Sequence, residues 1–85
     1  MKIIIPSPLY SYTQKREVEA VGSTLASLVD DLDRQYPGLK FRIIDEQNKI
    51  RPHMRFFVND EQVFDLNRPV LPEYKIQIIQ ALSGG

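Results

Sequence analysis

Gly22-Ser23-Thr24-Leu25-Ala26-Ser27-Leu28-Val29-Asp30-Asp31-Leu32-Asp33-Arg34-Gln35-Tyr36-Pro37-Gly38 is the stretch on which the fold turns. Leu25, Leu28, Val29, Leu32 and Tyr36 fall at i, i+3, i+4, i+7 and i+11, which is one apolar stripe of a helix. Ser23 or Thr24 supplies the N-cap. Asp30 and Arg34 are spaced to pair across one turn. Pro37-Gly38 ends the helix, because proline disfavours α geometry in the residue before it. Asp30, Asp31 and Asp33 read as a solvated helix face rather than a metal site.

Outward from this helix the period changes to two. Met1 to Pro6 is a β-branched run with Ile3 and Ile5 on one face, closed by Pro6-Ser7-Pro8. Lys15 to Ala20 sets charged Lys15, Glu17 and Glu19 against Arg16, Val18 and Ala20, a half-buried strand. The two runs predict an N-terminal hairpin whose loop includes Tyr10 to Gln14. On the C-terminal side, Leu39 to Pro52 is open: Phe41, Ile43 and Ile44 fit a short strand or a helical turn. Arg55 to Val58 reads as a strand with Phe56 and Val58 on one face and Phe57 on the other. Asn59-Asp60 is a turn signal, since both residues tolerate left-handed geometry. Gln62 to Phe64 makes a short return strand. Tyr74 to Leu82 is the last strand, with Ile76 and Ile78 inward and Ile79 outward. One helix cannot bury itself, so it lies across the sheet. The order strand, strand, helix, strand, short strand, strand predicts an α+β, β-grasp (ubiquitin-like) domain. Its mixed sheet has four to five strands, with one main helix across it. A ferredoxin-like domain is the alternative, but it wants a second long helix.

Composition narrows the function. The chain has 85 residues, enough for one domain, with 11 basic and 11 acidic side chains. A neutral total argues against a protein held by phosphate backbones, so no nucleic-acid partner is expected. There is no cysteine, which removes thiolate zinc sites and thiol nucleophiles from this chain. The longest apolar run is Ile3-Ile4-Ile5, far short of the roughly 20 residues of a membrane span and too short for a signal-peptide core. A cytoplasmic location and no membrane partner are expected. His53 is the sole histidine, and no phosphate-binding glycine loop or catalytic triad can be assembled. The expectation is no catalytic residue, no bound metal and no bound cofactor. Lys40, Arg42, Lys49, Arg51 and Arg55 outnumber Asp45 and Glu46 in the middle third. They are either a basic docking patch or dispersed surface charge.

The end of the chain stands apart. It stops at Ser83-Gly84-Gly85, which holds half of the four glycines. Glycine averages about 7% of residues, so a terminal Gly-Gly pair arises by chance at roughly 0.5%. Two residues without Cβ make a thin, adaptable lead. Such a lead can thread a narrow channel and bring the Gly85 carboxylate to a buried reaction centre. Residues 1–82 are expected to form the folded domain and 83–85 a flexible tail. A carboxylate is a poor electrophile, so Gly85 needs activation. This chain has no nucleotide site, and a partner must supply one.

Three segments carry a family resemblance: Phe57-Val58-Asn59-Asp60-Glu61, the run from Ile76 to Gly85, and Ser23-Thr24-Leu25-Ala26-Ser27-Leu28. They are similar to the Val-Asn-Gly/Asp turn, the last strand with its tail, and the Thr-Leu-x-x-Leu helix opening of the ubiquitin-like sulfur-carrier family (MoaD/ThiS/CysO-like). The family often has Asp-Gly-Asp before the final strand, where this chain has Pro72-Glu73-Tyr74. MoaD-type carriers usually have Pro-Pro before the tail, where this chain has Gln80-Ala81. The Asn59-Asp60-Glu61 turn tilts toward the CysO type.

The resemblance implies a sulfur carrier. A ubiquitin-activating-type enzyme would use ATP and Mg to adenylate Gly85. A sulfur donor would displace AMP to leave a thiocarboxylate, and a sulfur-accepting synthase would consume it in a cysteine-, molybdopterin- or thiamine-type pathway. The carrier is then a stoichiometric co-substrate, a monomer when free. Alternation sets Phe57 and Ile79 opposite Phe56, Ile76 and Ile78, so with Leu82 they are candidates for partner binding. They form an exposed apolar patch, or one or both lie under a loop. The alternative function is a protein modifier joined through Gly85 to target lysines.

Overall fold

The computed structural model describes residues 1–81. Among them the chain runs β1 (Lys2–Ile4), a 3-10 turn (Ser7–Leu9), α1 (Tyr10–Thr13), β2 (Glu17–Glu19) and α2 (Leu25–Gln35). It continues with α3 (Leu39–Ile43), β3 (Met54–Val58), β4 (Glu61–Val63) and β5 (Lys75–Gln80). The strands form one mixed sheet in the order β2-β1-β5-β3-β4. The central pair β1 and β5 is parallel, and the other pairs are antiparallel. The expected α+β, β-grasp architecture holds, with five strands and one main helix.

The register explains the core. Ile3 lies opposite both Val18 and Ile76, Val58 opposite Ile76, and Phe56 opposite both Ile78 and Val63. All of these side chains are buried, and they join Leu25, Leu28, Val29 and Leu32 of α2 in one apolar cluster. The period-two stripe of the sheet and the 3.6-residue stripe of the helix thus cover each other. Tyr36, read as the last member of the helical stripe, is only partly buried at its edge. Thr24 rather than Ser23 is the cap. Its Oγ1 accepts from the Ser27 N–H at 3.2 Å, and Ser27 Oγ accepts from the Thr24 N–H at 3.0 Å, a reciprocal capping box.

Several local expectations change. The Tyr10–Gln14 loop contains the short helix α1, and Leu39–Ile43 is a helical turn rather than a strand. Leu39 and Ile43, one turn apart, are both fully buried while Phe41 between them points to solvent, 58% exposed. The buried set therefore follows a helical period. Strand ends shift by one or two residues, with β3 beginning at Met54 rather than Arg55 and β4 running from Glu61 to Val63 rather than from Gln62 to Phe64. Arg16, placed with Val18 and Ala20, precedes β2 and is exposed. The last strand, read as far as Leu82, is β5 and ends at Gln80; Leu82 lies outside the described residues. The Asp30–Arg34 pair does not form. Arg34 meets Asp31 at 3.0 Å, while Asp30 meets Lys40 at 2.7 Å, because α3 returns alongside α2. The acidic face also ties down chain entries. Asp31 accepts the Val21 N–H at 3.0 Å, and Asp33 accepts the N–H groups of Gly38 and Lys40, each at 3.1 Å. The Val21 N–H leads the effects that hold the Asp31 carboxyl below its usual value.

Candidate functional site: the tail root and the uncovered sheet face

Strand β5 is held on both sides for only part of its length. Its parallel partner β1 reaches Ile4, opposite Gln77. Beyond that, the Ile5 N–H turns to Arg16 O at 2.7 Å, and Pro6 has no N–H to offer. Its antiparallel partner β3 continues to Met54, opposite Gln80. One more bond follows, from the Ala81 N–H to His53 O at 2.7 Å. That is the last such bond among the described residues. The Arg51 N–H is spent on Ile43 O at 3.0 Å, and Arg51 O accepts the Met54 N–H at 2.9 Å across a turn with Pro52 at its second position. Leu82, Ser83, Gly84 and Gly85 lie outside the described residues. Four residues span at most about 14 Å when extended, which bounds how far Gly85 sits from Ala81.

The helix covers one sheet face, and among the described residues no helix covers the other. Ile79 lies opposite Arg55, and Phe57 opposite Gln77. Phe57 and Ile79 are therefore diagonal neighbours on the outer face, as alternation predicted. Both are half-buried. They are neither a fully exposed patch nor hidden under a loop. The sequence reading missed Ile4, also half-buried, which lies beside Gln77 on the same face. Its signal was available: if Ile3 and Ile5 face inward, Ile4 must face outward. Lys2–Glu17 at 3.9 Å and Lys75–Asp60 at 3.8 Å give the surroundings a mixed charge.

On the helix side of the tail root there is a shallow cleft of about 300 Å³, floored by Leu9 and Gln80 and edged by Phe41, Arg42, Arg51 and His53, with Glu46 as its one anion. The Arg51 guanidinium stacks over the Phe41 ring at 4.6 Å, and its Nε donates to Phe41 O at 2.7 Å. The five cations of the middle third do not form a single patch. Lys40 is consumed by Asp30, and Lys49 lies beside a different groove next to Phe64. Arg55 donates to the carbonyls of Pro52 and Met54. Only Arg42 and Arg51 come together at the cleft. Among the described residues, no group of three or more His, Cys, Asp or Glu side chains is placed to hold a metal ion.

The chain matches the ThiS family over residues 3–85. It belongs to that family. The sulfur carrier protein CysO of Mycobacterium tuberculosis is 29% identical over 89 residues, covering 98% of this chain and 96% of the relative. In three dimensions, a chain of the Amycolatopsis orientalis BexX/CysO complex superposes with a TM-score of 0.90 at 31% identity. That match covers 99% of this chain and 98% of the other. The crystal structure of Mycobacterium tuberculosis CysO gives a TM-score of 0.89 at 28% identity, over 95% and 98% of the two chains. Small archaeal modifier protein 1 of Haloferax volcanii, at 20% identity and a TM-score of 0.80 over 100% and 98%, shares the fold.

Proposed function

We infer that this chain is a sulfur carrier that loads sulfur on its C-terminal carboxylate. The observation that carries this is the match to the ThiS family over residues 3–85, which takes in Gly84-Gly85, beside CysO carriers that match over 98% of the chain. The reaction follows from the chemistry of a carboxylate. An oxygen of Gly85 attacks the α-phosphorus of ATP in the partner enzyme, and pyrophosphate leaves. The resulting acyl-adenylate has AMP as a good leaving group. A sulfide equivalent from a donor adds to the acyl carbon and expels AMP, leaving a thiocarboxylate. A sulfur-accepting synthase, of the CysO type on the strength of the relatives, then takes the sulfur. Water then hydrolyses the acyl bond to the departing group and supplies the oxygen that restores the Gly85 carboxylate, so one carrier is consumed and regenerated per sulfur delivered.

In this reading, Phe57, Ile79 and Ile4 form the face that docks partners, with Leu82 at the base of the tail. Three apolar side chains beside the strand that leads to the tail support it, because aromatic and aliphatic anchors dominate protein interfaces. Ser83 and Gly84 serve as a narrow lead. Glycine at 84 lets a channel wall approach the backbone closely.

The test is intact-mass analysis after incubation with the host's adenylating enzyme, ATP, Mg and a sulfur donor. The expected product has one oxygen replaced by sulfur at Gly85, and removal of Gly84-Gly85 abolishes it with the circular dichroism spectrum unchanged. Absence of that product from the intact chain refutes the reading. Gly-Gly remnants on host lysines traced to this chain would instead establish the modifier function.

A further inference from the structure

We propose that the cleft at the tail root, edged by Arg42 and Arg51, receives a carboxylate-bearing lip of the adenylating enzyme at the mouth of its tail channel. This rests on the carrier reading and adds a recognition site on the helix side of the sheet, separate from the face of Phe57 and Ile79.

Reach brings the enzyme to the tail root, of which this cleft is one side. Gly85 can lie no further than about 14 Å from Ala81, and the Ala81 N–H is bonded to His53, a residue of the cleft edge. An enzyme that encloses Gly85 must therefore bring its own surface against the tail root. Both the carrier and modifier fates begin with activation of Gly85, so the adenylating enzyme is the partner that every route requires.

Charge then selects the chemistry of that surface. The whole chain is neutral, with 11 cations against 11 anions, so it has no net field to steer an encounter. Locally the arrangement differs: Arg42 and Arg51 line the cleft with a single carboxylate, Glu46, while Asp45, which also feels the charge of Arg51, lies outside it with its carboxylate bonded to the N–H groups of Gln47 and Lys49. Among the described residues, neither arginine lies within 4.0 Å of a carboxylate, whereas Lys2, Arg34, Lys40, Arg68 and Lys75 each do. Arg51 is also pre-organised. Its stacking on Phe41 and its Nε bond to Phe41 O fix the plane of the guanidinium. A planar fork held in place suits bidentate binding of a carboxylate. Phe41 beside it, 58% exposed, supplies apolar area that a lip closing over the cleft would cover.

The experiment measures steady-state loading of Arg42→Glu, Arg42→Lys and Lys49→Glu chains by the host's adenylating enzyme across a range of salt. Arg42 is exposed at the cleft edge, and Lys49 makes the same charge change away from it. For Arg42→Glu the expected result is a KM for the carrier raised about tenfold or more, an unchanged kcat and a flatter dependence of KM on salt. Arg42→Lys should recover most of the loss, and Lys49→Glu should stay near wild type. Equal KM values for Arg42→Glu and Lys49→Glu overturn the proposal while leaving the carrier reading intact. No loading of the wild-type chain overturns both.

Discussion

Phe56 and Phe57 are adjacent residues of the same type on opposite faces of β3, and truncating each to alanine should separate stability from recognition. Phe56 is fully buried between Val63 and Ile78 in the register and is among the largest side chains of the core. Its loss removes the transfer energy of the ring and leaves a cavity, which together cost about 3–5 kcal/mol. A chain of 85 residues has a total stability of about 4–13 kcal/mol on per-residue averages. Phe56→Ala therefore loses about a quarter of it or more, and Tm should fall by well over about 10 °C. Phe57 is half-buried, with Gln77 opposite and Ile79 on the diagonal. Cross-strand pairs of this kind are worth about 0.2–1 kcal/mol, so Tm should drop by only a few degrees. As an aromatic anchor at an interface, however, Phe57 should contribute about 2 kcal/mol to partner binding. That corresponds to roughly a 30-fold rise in the KM for loading. Urea unfolding and loading kinetics on the same preparations measure both quantities. Equal stability losses for the two variants would refute the assignment of faces. Wild-type loading by Phe57→Ala would refute the docking role of the outer face.

Two further predictions concern the fold alone. At Gly22, an added Cβ would sit 2.5 Å from the backbone N and 2.8 Å from the Cα of Leu28. Gly22→Ala should therefore cost about 1–3 kcal/mol as α2 is pushed from its seat, read as a lowered urea midpoint; a midpoint equal to wild type would contradict the close approach. Asp45 Oδ1 accepts the Gln47 N–H at 2.8 Å and the Lys49 N–H at 3.0 Å. The Lys49 N–H is the main cause that holds its carboxyl below the usual 3.8. A depressed folded-state value gives stability that is fully present above 3.8 and is lost as pH falls through the folded value. Wild type should exceed Asp45→Asn in melting temperature at neutral pH, and the gap should close as the pH falls below 3.8. A gap that is constant with pH would refute the assignment.

What the sequence determined was whatever repeats along the chain or sits at its end. The helix stripe from Leu25 to Leu32, the alternation of β3 and β5 and the Gly84-Gly85 terminus were all legible, because each is a local pattern of side-chain type. The pattern also sorted Phe56 from Phe57 and Ile78 from Ile79, since a pleated strand sends neighbours to opposite faces. The tertiary structure decided whatever depends on segments distant in sequence. Leu39–Ile43 is too short to reveal its period, and it is helical because it caps the core beside α2. Asp30 pairs with Lys40 rather than Arg34 because the chain doubles back. The bond from the Ala81 N–H to His53 O joins residues 28 apart in sequence, and no local pattern records it. The cleft formed by Leu9, Phe41, Arg42, Arg51, His53 and Gln80 draws on four separate segments, and no window of sequence contains it. Periodicity records which way a side chain faces, whereas only packing determines which side chains meet.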